Sequence, residues 1–148
     1  MSERATGGCQ CGRIRYAAEI GDAEAYLCHC TMCRRATGAA AAALVSVRIA
    51  GIAWEREPDW YRSSPIAERP FCAGCGTTLG FRFLDPDERM DLTLGSFDAP
   101  EAFTPRHNYA VESLLPAWQR TAHLPTLRSD ENASVVDRWM KRVGKLPD

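Results

Sequence analysis

The sequence predicts a mostly β protein of antiparallel sheets, with a short helical turn and one C-terminal helix. Three observations carry that expectation. Leu79, Phe81 and Phe83 alternate with Gly80 and Arg82, and Met90, Leu92 and Leu94 alternate with Asp91 and Thr93. Period two is the signature of a half-buried strand, and the turn residues Asp85-Pro86-Asp87 join the two runs as a hairpin. Leu44, Val45, Val47 and Ile49 form a second strand-like run. Helical spacing is clearest near the C-terminus, where Val135, Val136, Trp139, Met140 and Val143 make an apolar stripe.

The other elements follow in chain order. Ile14 to Ile20 reads as a strand after a turn at Gly12, and Ala25 to Leu27 lead a second strand into Cys28. Thr31 to Thr37 reads as one or two helical turns closed by Gly38. The five alanines from Ala39 to Ala43 suit a helix by propensity, but the β-branched residues that follow favour a buried strand over Ala39 to Ile52. Trp54 to Arg62 contains Pro58 and many charges, so a loop or a short edge strand is expected. Ile66 to Phe71 approaches a cysteine pair, Pro100 to Pro105 is a loop, and Asn108 to Val111 is a short strand. Asp130 is the expected cap of the terminal helix, Lys141 and Arg142 fall in its last turn, and Gly144 ends it. The simplest role for that helix is packing on the sheet, and Trp118 and Trp139 are expected in the core.

A chain of 148 residues with 45% apolar and 25% charged residues is an ordinary globular composition, and a single domain over 1–148 is expected. Eighteen basic and nineteen acidic residues leave a net charge of −1, which gives no electrostatic case for nucleic acid or an anionic membrane. Met1 to Gly8 has no apolar signal-like core, and no apolar run is long enough to span a bilayer. A cytoplasmic location is therefore expected, where clustered cysteines are metal ligands or redox centres more often than disulfides.

The seven cysteines fall into three groups: Cys9-Gln10-Cys11, then Cys28-His29-Cys30-Thr31-Met32-Cys33, then Cys72-Ala73-Gly74-Cys75. In extended chain, residues i and i+2 share a face, so C-x-C presents two thiolates side by side. In a tight turn C-x-x-C wraps two sulfurs around one ion, and Gly74 and Gly76 are expected to relieve the backbone. The favoured partition is four plus three. Cys9, Cys11, Cys72 and Cys75 make a closed structural zinc site, and Cys28, Cys30 and Cys33 make a second site with an open position. Spacing alone also allows the pairs to be shuffled, or His107 or His29 to supply a fourth ligand. His29 carries little weight, because it lies between two ligands and should point the other way.

The ordered motifs resemble the glutathione-dependent formaldehyde-activating enzymes and their centromere-protein-V-like relatives. The matching residues are Gly8-Cys9-Gln10-Cys11-Gly12 with Ile14 and Tyr16, Cys28-His29-Cys30 with Cys33-Arg34 and Gly38, and Phe71 to Thr77. His107-Asn108-Tyr109 and Pro116-Ala117-Trp118 complete the set. The resemblance implies a β-tent (Mss4-like) fold and the same partition, with two Zn²⁺ per chain. It also implies the addition of a small thiol, glutathione in the family, to formaldehyde or a related small aldehyde, a carbon–sulfur lyase in the reverse sense. Arg34 and Arg35, directly after Cys33, are candidate substrate-binding cations, and a solvated helix face is their alternative role. The competing function is a non-catalytic zinc module whose second site is structural or redox-sensing. A binding protein that presents a surface to a partner is the third reading.

Overall fold

The alternating runs become strands of two sheets in the computed structural model of the chain, which describes residues 3–85 and 87–147. The smaller sheet has three strands in the order β1 (Arg4–Gly8), β2 (Arg15–Glu19) and β5 (Ile52–Trp54). The larger has seven, in the order β10 (Pro105–Tyr109), β3 (Glu24–Cys28), β4 (Ala42–Arg48), β9 (Arg89–Thr93), β8 (Gly80–Phe83), β7 (Ala67–Phe71) and β6 (Asp59–Ser64). The mostly β expectation holds, with one departure from an all-antiparallel reading: β10 runs parallel to β3. The expected hairpin is β8 with β9, paired Gly80 to Leu92 and Phe81 to Asp91. Pro86 of its connecting turn lies outside the described residues.

The alanine run divides. Ala39 to Ala41 bend out of the helix α1 (Thr31–Thr37), and β4 begins at Ala42. Trp54 to Arg62 resolves into the end of β5 and the start of the edge strand β6. Leu94 leaves the alternating run for a 3-10 turn over Leu94–Ser96.

Period two gives β4 two apolar faces, and this places the rest of the molecule. Val45 and Val47 point to the main core, where they join Ile14, Tyr16 and Ala18 from the β2 region with Met90 and Leu92 of β9. Tyr16 packs edge-on against Trp54 and Phe97, and its buried hydroxyl is satisfied by Ser96 at 2.8 Å. Ala42 and Leu44 point the other way and join Cys28 and Cys33 in a second buried cluster, with Tyr26 and Cys30 against it. The same parity puts Ala25 in the main core and Tyr26 and Cys28 on the second face.

The chain divides into two compact units, Met1–Leu115 and Pro116–Asp148. Both sheets and α1 belong to the first. The second holds 3-10 turns and the helix α2 (Ala133–Arg142), with Lys141 and Arg142 in its last turn and Gly144 just beyond in the left-handed region at φ 81°. Asp130 does not cap it. Asn132 holds the N-cap position without a side-chain bond, and Asp130 instead accepts from Arg128 at 3.0 Å within the turn Ser129–Glu131. Trp118 and Trp139, expected in a core, are exposed. No helix among the described residues is long and apolar enough to cross a membrane.

Candidate metal centres and the adjoining cavity

The first cysteine cluster is built from two tight turns. Cys9 and Cys11 lie in the connection from β1 to β2, where Gly12 donates its N–H to Cys9 O at 3.1 Å. Cys72 and Cys75 follow β7, where Gly76 donates to Cys72 O at 2.7 Å. Gly12 and Gly76 sit at φ 81° and 79°, the left-handed region a side chain disfavours, and both turns depend on that freedom. Gly74, also expected to relieve the backbone, does not have a positive φ.

The four sulfurs lie within 4.8 Å of one another. Cys9 Sγ is 3.6 Å from Cys11 Sγ, which is 3.7 Å from Cys72 Sγ. A disulfide needs about 2.05 Å, whereas sulfurs at about 2.3 Å from a tetrahedral zinc stand about 3.8 Å apart. All seven cysteines are free, so the donor set and its spacing fit a closed tetrahedral ion. Ile14 N–H donates to Cys9 Sγ at 3.2 Å, and Arg13 reaches Cys72 Sγ at 3.8 Å while bound to Asp59 at 2.7 Å. The Thr77 hydroxyl, 3.2 Å from Cys75 Sγ, is the main reason that thiol is drawn down to about 5. The Arg13 and Thr77 contacts favour the thiolate, the form that ligates metal, whereas the neighbouring sulfurs push Cys11 up to about 11.

The second cluster is Cys28, Cys30 and Cys33. Cys28 ends β3 on the second face. Cys30 is the N-cap of α1 and accepts Cys33 N–H at 3.2 Å, so the first helical turn folds Cys33 back toward Cys28. Among the described residues, no His, Asp or Glu joins these three sulfurs in a common group within 4.8 Å. His29, between two of them, is buried and hydrogen-bonds Asn108 of β10 through Nε2 at 2.8 Å. His107 lies on the cavity wall, stacked on Tyr26 at 4.9 Å and 3.5 Å from Glu24.

The cation beside these sulfurs is Arg69, which sequence reasoning missed. It is buried on β7 and donates to Cys33 Sγ at 3.4 Å, with its guanidinium 5.0 Å above the Phe81 ring. Cys33 is drawn down to about 5, chiefly by the hydrogen bond from Cys28 and further by Arg69. Cys28 is pushed up as the proton-holding partner, with burial adding to the effect. Arg34 gives Nη1 to the Ser113 carbonyl at 2.9 Å, and Arg35 is exposed. Neither is among the described residues lining the cavity.

That cavity, of about 430 Å³, is lined by Cys28, Cys30 and Cys33 together with Tyr26, Arg69 and Asp91, among others. Burial raises Asp91 to about 6, although the Tyr26 hydroxyl donates to it at 2.9 Å. Three cysteine sulfurs, one buried guanidinium and a half-buried carboxyl therefore face one concavity.

A mostly β chain that gathers its cysteines into a closed quartet and a triplet at a cavity is of a class built around candidate metal centres. It belongs to the glutathione-dependent formaldehyde-activating enzyme family, whose sequence model matches residues 4–113. It is 34% identical over 77 residues to an uncharacterized lyase of Schizosaccharomyces pombe, an alignment that covers 52% of this chain and 56% of that protein. A crystal structure of a Rhodobacter sphaeroides protein is similar in fold, at 21% identity and a TM-score of 0.55, over 70% of this chain and 98% of that one.

Proposed function

We propose that the chain is a zinc-dependent carbon–sulfur lyase that adds a small, glutathione-like thiol to formaldehyde or a related small aldehyde. The observation that carries this reading is the asymmetry between the two cysteine clusters. Four sulfurs close one site, whereas three line a cavity of about 430 Å³ at the other. Zinc held by Cys28, Cys30 and Cys33 would supply a Lewis acid that favours an incoming thiol as the thiolate nucleophile.

The remaining work falls to side chains of the chain. Cys28, Cys30 and Cys33 are the ligands we assign to the catalytic ion, and Cys9, Cys11, Cys72 and Cys75 those of a structural ion. Arg69 offsets the surplus negative charge of the triplet through its contact with Cys33. Asp91, with its proton held up to about 6, is placed to donate to an aldehyde oxygen as that atom gains charge. Arg69 takes over the electrostatic role that chain proximity suggests for Arg34 and Arg35.

The test is exchange between formaldehyde, glutathione and their adduct, followed by NMR with metal content measured alongside. Wild-type protein is expected to accelerate exchange by about tenfold or more over buffer, a modest demand beside the accelerations enzymes reach. Cys30→Ser is expected to return it to the background. Equal exchange in buffer, wild type and variant, with zinc confirmed at the triplet, would rule out this substrate pair. If added thiol also left the metal's coordination unchanged, the non-catalytic module would be the better reading.

A further inference from the structure

We infer that the cavity beside Cys28, Cys30 and Cys33 takes a reactant bearing an uncharged apolar substituent of about aromatic-ring size, rather than the charged arms of glutathione. The inference rests on the proposed joining of a thiol to an aldehyde at this site. It concerns which thiol and which aldehyde.

Its first ground is the wall. Tyr26, Leu44 and Phe81 lie on the sheet face that carries Cys28, and register explains why. Tyr26 pairs with Leu44, and Phe81 pairs with Asp91, so strand alternation delivers these side chains to one side. Further out, Met32, Ile66, Phe83 and Tyr109 line the same cavity and remain exposed, Ile66 at 60% and Tyr109 at 61%. Large apolar side chains left in water around one concavity are the mark of a ligand site.

Its second ground is charge. Among the described residues, the charged or titratable groups lining the cavity, besides the thiols and tyrosines, are Arg69, Asp91, His107 and Glu112. Arg69 is 2% exposed and already directed at Cys33. His107 faces Glu24 at 3.5 Å. Glutathione carries two carboxylates against one ammonium, and burying the carboxylates beside Asp91 and Glu112, with no free cation among the described lining residues, is unfavourable. Formaldehyde has no substituent at all. The family's substrate pair would therefore leave the apolar wall uncovered and bring the wrong charge to it.

The apolar group can arrive on either reactant. In both cases the thiol sulfur bonds to the carbonyl carbon, the C=O π bond opens, and the thiol proton ends on the oxygen. No oxidant or reductant is needed. The two sources are an arylalkyl thiol with formaldehyde, or an arylalkyl aldehyde with a small neutral thiol.

The experiment uses the full chain loaded with zinc. Binding of benzyl alcohol, an unreactive probe, is measured by saturation-transfer NMR and titration calorimetry against methanol and glutathione. Benzyl alcohol is expected to bind about tenfold or more tighter than methanol. Ile66→Lys, which sets a cation at the exposed mouth, is expected to weaken benzyl alcohol about fivefold and to strengthen glutathione. Exchange kinetics then compare benzyl mercaptan with formaldehyde, phenylacetaldehyde with 2-mercaptoethanol, and glutathione with formaldehyde. One of the first two is expected to exceed the third in kcat/KM by about tenfold, and which one does identifies the source of the ring. If glutathione with formaldehyde is fastest and benzyl alcohol binds no better than methanol, the inference is overturned while the thiol–aldehyde reading stands. If no pair is accelerated but benzyl alcohol binds and responds to Ile66→Lys, the reaction falls and the apolar preference of the cavity stands.

Discussion

Removing one sulfur has different consequences at the two clusters, because their surroundings differ. Cys72 is fully buried and one of four donors in a site that joins the β1–β2 turn to the turn after β7. Structural sites of this kind contribute folding energy directly. Cys72→Ser is expected to give insoluble protein, or protein destabilised by more than about 3 kcal/mol. Cys30→Ser replaces a helix N-cap with another favourable one, so α1 keeps its cap while the triplet loses a ligand. That variant is expected to fold with one zinc fewer. Metal analysis with thermal melts checks both, and a Cys30→Ser protein that alone fails to fold would overturn the four-plus-three partition. Asp91 gives a second residue-level expectation. Its carboxyl, held at about 6 chiefly by burial, faces the Tyr26 hydroxyl and feels Arg89, Asp87 and Cys33. The folded state therefore binds this proton more tightly than the unfolded chain does. Below about pH 4 both states are protonated and nothing is lost, and from there through about pH 6 ionisation of the unfolded chain erodes stability. Asp91→Asn is expected to gain up to about 3 kcal/mol on wild type between pH 4 and pH 8, measured by denaturant unfolding. Parallel pH profiles for the two proteins would show that Asp91 does not govern this loss. The cysteines were legible as a set because each group reports its geometry over three to six adjacent positions. Arg69 was not, because it meets Cys33 only through the strand order β4, β9, β8, β7. Arg34 and Arg35 drew attention by adjacency, but helical rotation carries Arg34 to the Ser113 carbonyl.

At the scale of elements, the two faces of the seven-stranded sheet do different jobs, and one substitution on each separates them. Leu92 of β9 is fully buried in the core that both sheets share. Leu92→Ala is expected to cost about 2–5 kcal/mol while leaving the affinity of the triplet for metal and small ligands unchanged. Leu44 of β4 is equally buried but lies on the Cys28 side and lines the cavity. Leu44→Ala is expected to cost a similar amount and also to alter ligand binding, because it enlarges the cavity floor. Equal effects of both variants on ligand binding would show that the faces are not separable. Much of this was legible. The alternation of Phe81 and Phe83, and of Met90 and Leu92, gave β8 and β9 directly. Other elements carried no such signal. β1 (Arg4–Gly8) is short and rich in glycine, and it exists because β2 offers it an edge. The parallel pairing of β10 with β3 is a long-range choice that no local pattern encodes. In the alanine run, propensity and context pointed opposite ways, and strand pairing of Ala42 with Cys28 and Ala43 with Leu27 decided the outcome.

For the whole molecule, the boundary between the two compact units has a functional meaning. Both cysteine clusters and every residue named on the cavity wall lie in Met1–Leu115, and the family match ends at residue 113. The main core is built from the two sheets of that unit. Its chain is secured close to the boundary, where Arg34 of α1 holds the Ser113 carbonyl at 2.9 Å. A chain ending at Leu115 therefore keeps the two sulfur clusters, the Arg69 contact with Cys33 and the cavity wall. Such a protein is expected to fold, to hold the same number of metal ions, and to differ from the full chain by no more than about 1 kcal/mol in stability. For a domain of about this size that corresponds to about 4 °C in Tm. Benzyl alcohol is expected to bind it as tightly as it binds the full chain. Metal analysis, thermal melts and the same titration measure all three. If the shortened chain aggregates or loses an ion, residues 116–148 are part of one folding unit with the sheets, and the single domain first expected over 1–148 is the better description.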